Sequence, residues 1–325
     1  MNSLIRSFIL LGLVGSSTRR PVPKTELWAF TGPWDARSDS SLRANASHLS
    51  VAVTGWIGLD SVSGQPILPS PYPDTLHLGS TLRRMALVTS WHGDRFHPNT
   101  VRALGRDDAR LARAAHAIVT QAVSMHYAGL VLDFESLERS DLPALLHVVK
   151  AIADSAHARQ ISPVVVAIPA ADSTAYPARQ IVGVADLVMP MLYDQHWSTS
   201  GPGPISEPDW VRTVLASRIA EVGASRIVAA LPLYGYRWQS KPGTPAEDVS
   251  FADAKRIAAQ SRVTLRRDEQ SGTLRGVKPG AWEIWVTDAD LLSTLTRRVR
   301  EAGVSRVALW RIGQEDPAVW QALSR

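Results

Sequence analysis

The 325-residue chain contains no cysteine. Disulfide bonds, zinc–thiolate sites and thiol nucleophiles are therefore excluded. The chain also has no run rich in lysine and arginine, although its formal net charge is +5. Scattered basic residues do not form the patch that nucleic-acid binding requires, so no nucleic-acid partner is predicted.

Several catalytic and cofactor motifs are missing as well. No G-x-S-x-G motif indicates a serine hydrolase, and the nine histidines show no H-E-x-x-H or comparable metal-ligand spacing. No G-x-G-x-x-G follows the first apolar run, which argues against a dinucleotide-binding site. We therefore predict a protein without a metal site or a cofactor.

Long hydrophobic runs are absent except at the N-terminus. Residues 1–20 combine a basic residue, the short apolar run FILLGLVG and small residues. This pattern is typical of a secretory signal peptide, and it is too short to favour the alternative of a membrane anchor. We expect export to the periplasm or the cell exterior, with retention by an uncleaved N-terminal segment as the alternative. No other segment predicts a membrane span.

Eight short apolar runs alternate with amphipathic stretches along residues 25–325. This alternation in a chain of this size predicts the α/β class, as a (β/α)8 barrel. A doubly wound open sheet is the competitor, and the missing glycine motif disfavours it. The runs are LWAF (27–30), LSVAVTGWI (49–57), MALVTSW (85–91), GLVLDFE (129–135), VVVAIP (164–169), LVMPML (187–192), IVAALPLYG (227–235) and VALWRIG (307–313).

The alternation is interrupted between the seventh and eighth runs. Gln239 to Pro279 is rich in polar residues, glycine and proline, and VTLRRDEQSGTLRGV within it is typical of a short hairpin. We predict a small α+β insertion at about 239–285, as part of the barrel domain.

The fourth apolar run ends in two carboxylates, in the stretch YAGLVLDFESLE. Because side chains at i and i+2 share one face of a strand, Asp133 and Glu135 should lie side by side, with Phe134 on the opposite face. Two buried carboxyls raise each other's pKa, so one can stay protonated and act as a general acid. Capping of the following helix is the alternative reading, and the residues alone leave both open.

Aromatic and acidic residues recur where the other runs end, and in a barrel these ends form the catalytic face. Aromatic faces stack on sugar rings, so their convergence predicts a sugar-binding cleft. Each tryptophan alone is more often part of a core. The candidate residues are Phe30, Trp34, Trp56, Trp91, Tyr193, Asp194, His196, Trp197, Tyr234, Tyr236, Trp238 and Trp310.

Four motifs resemble those of glycoside hydrolase family 18, in the family's order. GLVLDFE resembles the end of its D-G-x-D-x-D-x-E signature, and MLYDQHW resembles M-x-Y-D. LPLYGYRW is similar to P-x-Y-G-x-x-W, and ALWRIGQED is similar to the eighth-strand tryptophan motif. The likeness runs from about Leu27 to Trp320 and is strongest to bacterial members of the spore-cortex and polysaccharide-linked type.

The resemblance implies a retaining, substrate-assisted glycosidase, in which the substrate's 2-acetamido oxygen attacks the anomeric carbon. Glu135 would then be the general acid and base, and Asp133 would bind the acetamido N–H. Tyr193 would donate to the acetamido oxygen, Asp194 would shape the sugar site, and Trp310 would form its floor. The expected partner is a β-linked N-acetylglucosamine polymer: chitin, peptidoglycan or an exported polysaccharide. We expect a monomer.

Two positions depart from the family signature. Its first and second aspartates fall on Ala128 and Val131. The second normally shares a proton with the residue at Asp133, so its loss keeps a non-catalytic, lectin-like protein as the alternative. Glu135 is present and favours the enzyme. A glycosyltransferase reading rests on Asp288 and Asp290, which are more simply a helix N-cap and a first-turn acid.

Overall fold

The computed structural model describes residues 25–67 and 82–323. The predicted signal-like segment at residues 1–20 lies outside the described residues. Within the described ranges, no helix is long and apolar enough to span a membrane.

The eight predicted strands form a closed parallel barrel. Each strand pairs in parallel with the next along the chain, and the eighth pairs with the first, which closes the sheet. The predicted (β/α)8 barrel is therefore confirmed. Its strands are Glu26–Phe30, Val51–Leu59, Arg83–Thr89, Gly129–Asp133, Val164–Pro169, Leu187–Met191, Ala229–Pro232 and Arg306–Trp310.

The continuous apolar runs arise because both faces of the barrel strands are buried. Trp28 and Phe30 of the first strand point into the barrel, where they pack with Val131 of the fourth. Leu27 and Ala29 point outward and pack under the helices. Successive side chains alternate between faces, so a parallel strand covered on both sides needs apolar residues at nearly every position.

The predicted amphipathic stretches are helices that pack around the barrel. Several begin at aspartate N-caps; for example, Asp107 accepts from the backbone N–H of Arg110, and Asp288 accepts from that of Leu291. The N-cap reading of Asp288 is thus confirmed. The helices are Ala36–Asn45, Pro98–Leu104, Asp108–Ser124, Leu142–Ala158, Ala178–Ile181, Pro208–Val222, Phe251–Gln260, Ala289–Glu301 and Val319–Leu323.

The predicted insertion is a five-stranded antiparallel sheet with the helix Phe251–Gln260. It begins at Gly235, slightly before the predicted start near 239. The predicted hairpin is present, because Arg266–Arg267 pairs antiparallel with Leu274–Lys278, and Gly272 in its turn has φ +69°. The inserted strands are Gly235–Gln239, Glu247–Val249, Arg266–Arg267, Leu274–Lys278 and Trp282–Val286.

Candidate active site

A cavity of about 630 Å³ opens at the carboxyl ends of the barrel strands. Eleven of the predicted site residues line it, together with residues from the insertion and from a short hairpin after the third strand. The predicted residues are Phe30, Trp34, Trp56, Trp91, Asp133, Glu135, Tyr193, Asp194, Tyr234, Tyr236 and Trp310. This end of a barrel is where the loops that carry catalytic residues converge.

The two carboxylates of the fourth strand face the cavity together, as their spacing predicted. Val131, Asp133 and Glu135 all line it. Phe134, between the two acids, is buried on the outer face against the helix layer. The alternation of side-chain directions along the strand therefore continues as far as Glu135, two residues after the strand ends at Asp133.

The alternative reading, in which these carboxylates cap the next helix, is wrong. The turn that precedes helix Leu142–Ala158 is capped by Glu138 and Asp141, whose side chains and backbone N–H groups bond reciprocally. Asp133 instead accepts a hydrogen bond from the Thr89 hydroxyl, at 3.1 Å to Oδ2. Asp133 and Glu135 are thus available to act in the cavity.

Asp133 combines burial with an unused acceptor. Its Oδ1 is buried and makes no hydrogen bond to any residue the structure describes. Burial raises the pKa of Asp133 to about 6, against the smaller lowering effects of its hydrogen bonds with Thr89 and Glu135. A buried acceptor without a donor is costly, which makes Oδ1 suited to an N–H group brought by a ligand.

The surroundings of Glu135 favour its protonated form. Burial raises its pKa well above the ordinary glutamate value, and the neighbouring charges of Asp133 and Asp194 raise it further. A carboxyl that keeps its proton near neutral pH beside a carboxylate is the arrangement of a general acid.

Tyrosines that follow the sixth and seventh barrel strands surround a third carboxylate, Asp194. Tyr234 donates a hydrogen bond to Oδ1 of Asp194, a residue that adopts a left-handed backbone with φ +56°. The rings of Tyr193 and Tyr234 meet edge to face at 6.2 Å, and those of Tyr234 and Tyr236 at 5.5 Å. Burial raises the pKa of Tyr193 well above its usual range, so its hydroxyl remains a donor.

An aromatic wall faces these polar groups. Trp310 of the eighth strand lies 5.3 Å from Phe30 and 6.2 Å from Trp56, measured between ring centroids. Trp34 continues the wall at 4.7 Å from Trp56 and is 61% exposed. Exposed aromatic faces next to buried carboxyls are the composition expected of a sugar cleft.

Three predicted sugar contacts do not line the cavity. Trp238 is a correction: it is 5% exposed, and its indole Nε1 donates to the Ser200 carbonyl, so its ring cannot stack on a sugar. His196 contacts the Gly201 carbonyl through Nδ1, and a Cβ at Gly203 would lie 2.4 Å from its ring. Trp197 is 49% exposed on the same loop, outside the cavity lining.

Sequence reasoning missed four polar or aromatic cavity residues: Phe96, Asp248, Arg311 and Gln314. Arg311 and Gln314 lie in the ALWRIGQED motif, which also supplies the predicted Trp310. Arg311 donates to Asp35 Oδ2 at 2.9 Å, and Gln314 donates to Asp248 Oδ2 at 2.9 Å. Asp248 comes from the insertion, where no local pattern marks it.

The buried carboxyls make stability depend on pH. The pKa of Asp133 rises from 3.8 to about 6 on folding, so the folded state holds this proton more tightly than the unfolded state. The resulting stabilisation is complete below about pH 4 and is lost as the pH rises through about 6; Glu135 acts in the same direction. Each pKa unit is worth about 1.4 kcal/mol, so ionising Asp133 costs about 3 kcal/mol.

We therefore expect Asp133→Asn to unfold at a higher temperature than the wild type at pH 7.5, by several degrees. The difference should vanish near pH 4, where the wild-type carboxyl is protonated. Thermal unfolding scans across this range measure it, with the exposed Asp154→Asn as the matched control. A difference that is independent of pH would contradict a raised pKa at Asp133.

Comparison with known proteins confirms the resemblance that the four motifs predicted. No family model matches the chain. The chain is 22% identical over 225 residues to the uncharacterized glycosylase YvbX of Bacillus subtilis, over 66% of this chain and 65% of that protein. It is 26% identical over 327 residues to the cortical fragment-lytic enzyme of Bacillus subtilis, over 94% of this chain and 75% of that protein.

Solved structures show the same fold. A chitinase from Chromobacterium violaceum superposes with a TM-score of 0.83 at 20% identity, over 92% of this chain and 98% of that one. The Bacillus cereus spore cortex-lytic enzyme SleL gives 0.80 at 18% identity, over 93% of this chain and 74% of that one. Both superpositions therefore include the barrel and the insertion.

Proposed function

We propose that this chain, a relative of spore cortex-lytic enzymes that shares the fold of a chitinase, is a glycosidase that cleaves N-acetylglucosamine-containing polysaccharide with retention of configuration. The observation that carries the proposal is the pair of buried carboxyls, Asp133 and Glu135, facing one aromatic-lined cavity. Glu135 holds a proton, and Asp133 presents an unused acceptor beside it.

In the proposed reaction, Glu135 protonates the glycosidic oxygen as the bond to the anomeric carbon breaks. The substrate's acetamido oxygen attacks that carbon, and an oxazolinium ion forms. Glu135, now ionised, takes a proton from water, which opens the ion and restores the acid. Its raised pKa supports the first step, because only the protonated form can donate.

Asp133 and Tyr193 are proposed to hold the acetamido group. Asp133 Oδ1 accepts its N–H, and the negative charge of Asp133 stabilises the oxazolinium ion. The Tyr193 hydroxyl donates to the acetamido oxygen and aligns it for attack. These contacts strengthen as charge develops, which is the condition for lowering the barrier.

Val131 changes the electrostatics of this strand face. It is fully buried in the barrel interior, one residue pair below Asp133, and offers no proton to share. The hydroxyl of Thr89, on the neighbouring third strand, is the hydrogen-bond donor to Asp133. We propose that this hydroxyl supports the ionised form of Asp133 where the motif lacks a second aspartate.

Chitin, peptidoglycan and exported N-acetylglucosamine polymers all carry the acetamido group that this reaction needs. The names of the relatives, cortex-lytic enzymes and chitinases, match the first two. Export by the N-terminal segment stays a prediction, which cell fractionation with and without residues 1–20 would test. A lectin-like role is disfavoured by Glu135, because binding alone does not need a buried general acid.

Substrate assistance predicts a strict need for the acetamido group. We expect cleavage of N-acetylated oligosaccharides and no cleavage of the de-N-acetylated ones, whose free amine cannot form an oxazoline. A thiazoline analogue of N-acetylglucosamine should inhibit competitively. Initial rates on the two substrate sets, with products identified by mass spectrometry, give the answer; comparable rates on both would remove the acetamido group from the mechanism.

A further inference from the structure

The turn that carries Glu135 is bridged by a tyrosine hydroxyl from another loop. Tyr176 donates to the carbonyl of Phe134 at 2.9 Å and accepts from the backbone N–H of Leu137 at 3.1 Å. Phe134 and Leu137 are the first and last residues of a four-residue turn. In many such turns the carbonyl of the first residue accepts directly from the N–H of the last. The hydroxyl therefore links both ends of the segment whose central residues are Glu135 and Ser136.

This turn is strained at its second central residue. Ser136 has φ +60°, in the left-handed region that residues other than glycine adopt at a cost. Such conformations persist where the surroundings hold them in place. The two hydrogen bonds of Tyr176 flank Ser136 and supply such a constraint.

Arg218 in turn holds the backbone of Tyr176 and of the loop that carries it. Arg218, on helix Pro208–Val222, is 1% exposed. Its guanidinium donates to the carbonyl oxygens of Pro169, Ala170, Asp172 and Tyr176 at 2.7–3.1 Å, and it pairs with Glu221 at 3.0 Å. A loop after a barrel strand is ordinarily mobile, whereas three carbonyls of this loop are tied to a helix through Arg218.

Tyr176 does not line the cavity and is 1% exposed, so it has no access to a substrate. Burial raises the pKa of Tyr176, and the nearby carboxyls of Glu135 and Asp133 raise it further, which keeps the hydroxyl protonated and able to donate. Any effect of Tyr176 on catalysis must therefore pass through the turn.

We propose that Tyr176, held by Arg218, is a positioning residue that fixes the turn 134–137 so that the Glu135 carboxyl faces the cavity beside Asp133. The proposal rests on the proposed function, since it assigns Tyr176 to the positioning of the general acid. Small displacements of a catalytic group can cost up to about 100-fold in rate.

Tyr176→Phe removes the hydroxyl and keeps the ring. We expect kcat to fall about tenfold or more, with KM within about twofold of wild type, because binding residues are untouched. A loosened turn admits water to Glu135 and lowers its raised pKa, so the alkaline limb of the pH–kcat profile should move to lower pH. Tyr127→Phe is the matched control: Tyr127 is also buried, at the other end of the fourth strand.

Two further variants separate positioning from folding. Glycine adopts a positive φ freely, so Ser136→Gly added to Tyr176→Phe should recover at least about threefold in kcat. Arg218→Lys keeps the tyrosine hydroxyl but loses most of the carbonyl contacts, and should shift kcat and the pH profile in the same direction as Tyr176→Phe, to a smaller extent. If Tyr176→Phe does not fold, Arg218→Lys tests the same proposal with the tyrosine hydroxyl in place.

Wild-type kcat and pH profile in folded Tyr176→Phe would overturn the proposal. So would a loss of activity that follows the unfolded fraction with an unchanged pH profile, or a double variant no faster than Tyr176→Phe. Amide hydrogen exchange of residues 134–137 is expected to be faster in Tyr176→Phe than in the wild type, and unchanged in Tyr127→Phe. This measurement tests the positioning of the turn without depending on activity. A wild-type protein that cleaves none of the polymers would reject the proposed function instead.

Discussion

Replacing Glu135 by glutamine is expected to lower kcat on N-acetylglucosamine oligosaccharides by roughly 10²–10⁴-fold, the usual range for a lost general acid. The amide cannot donate the proton that the leaving oxygen needs, and it cannot later accept one from water. Because one group serves both steps, the loss belongs at the upper end of that range. KM should change little, since the aromatic wall and Asp133 remain.

The matched control for this substitution is Glu269→Gln, which makes the same chemical change at an exposed residue of the inserted hairpin. Kinetics with purified protein, together with binding of an uncleaved oligosaccharide by calorimetry, separate chemistry from affinity. Turnover near the wild-type rate in folded Glu135→Gln would assign the proton donor to another residue.

Asp133→Asn is expected to lower kcat by roughly 10²-fold, in the range observed when one preorganised electrostatic contact to a transition state is removed. The amide keeps the size of the side chain but loses the charge that opposes the oxazolinium ion. The neighbouring Glu135 also loses the negative charge that raises its pKa, so the alkaline limb of the pH–kcat profile should move to lower pH.

The measurement is kcat and kcat/KM between pH 4 and 9 for wild type, Asp133→Asn and the exposed control Asp154→Asn. The same substitution is expected to raise the unfolding temperature at pH 7.5, so a less active and more stable variant is the combined signature. A wild-type profile with wild-type kcat in Asp133→Asn would place this strand face outside the reaction and favour the lectin-like alternative.

The parts of the fold and site that follow local periodicity could be predicted from the sequence. Continuous apolar runs identified all eight barrel strands, because strands buried on both faces are apolar at nearly every position. The i, i+2 spacing placed Asp133 and Glu135 on one face and Phe134 on the other, and the cavity lining agrees. These predictions depend only on the geometry of a strand.

Contacts between segments far apart in sequence could not be predicted in this way. Trp238 is the last residue of the LPLYGYRW motif, yet its ring packs in the cluster of Tyr234 and Trp285 because its strand pairs within the inserted sheet. Tyr176 lies in an irregular loop, and Arg218 looks like a polar residue of an amphipathic helix. Only the folded chain shows that the two meet behind the turn of Glu135.

The central claim is that this cavity cleaves the glycosidic bond with retention of configuration, with Glu135 as the acid. Proton NMR of a chitooligosaccharide digest, recorded within the first minutes, resolves the anomeric protons of the new reducing end before mutarotation. We expect the β-anomer to form first with the wild type and no product to form over the same time with Glu135→Gln. Initial formation of the α-anomer, or β-product at an undiminished rate from Glu135→Gln, would contradict the account.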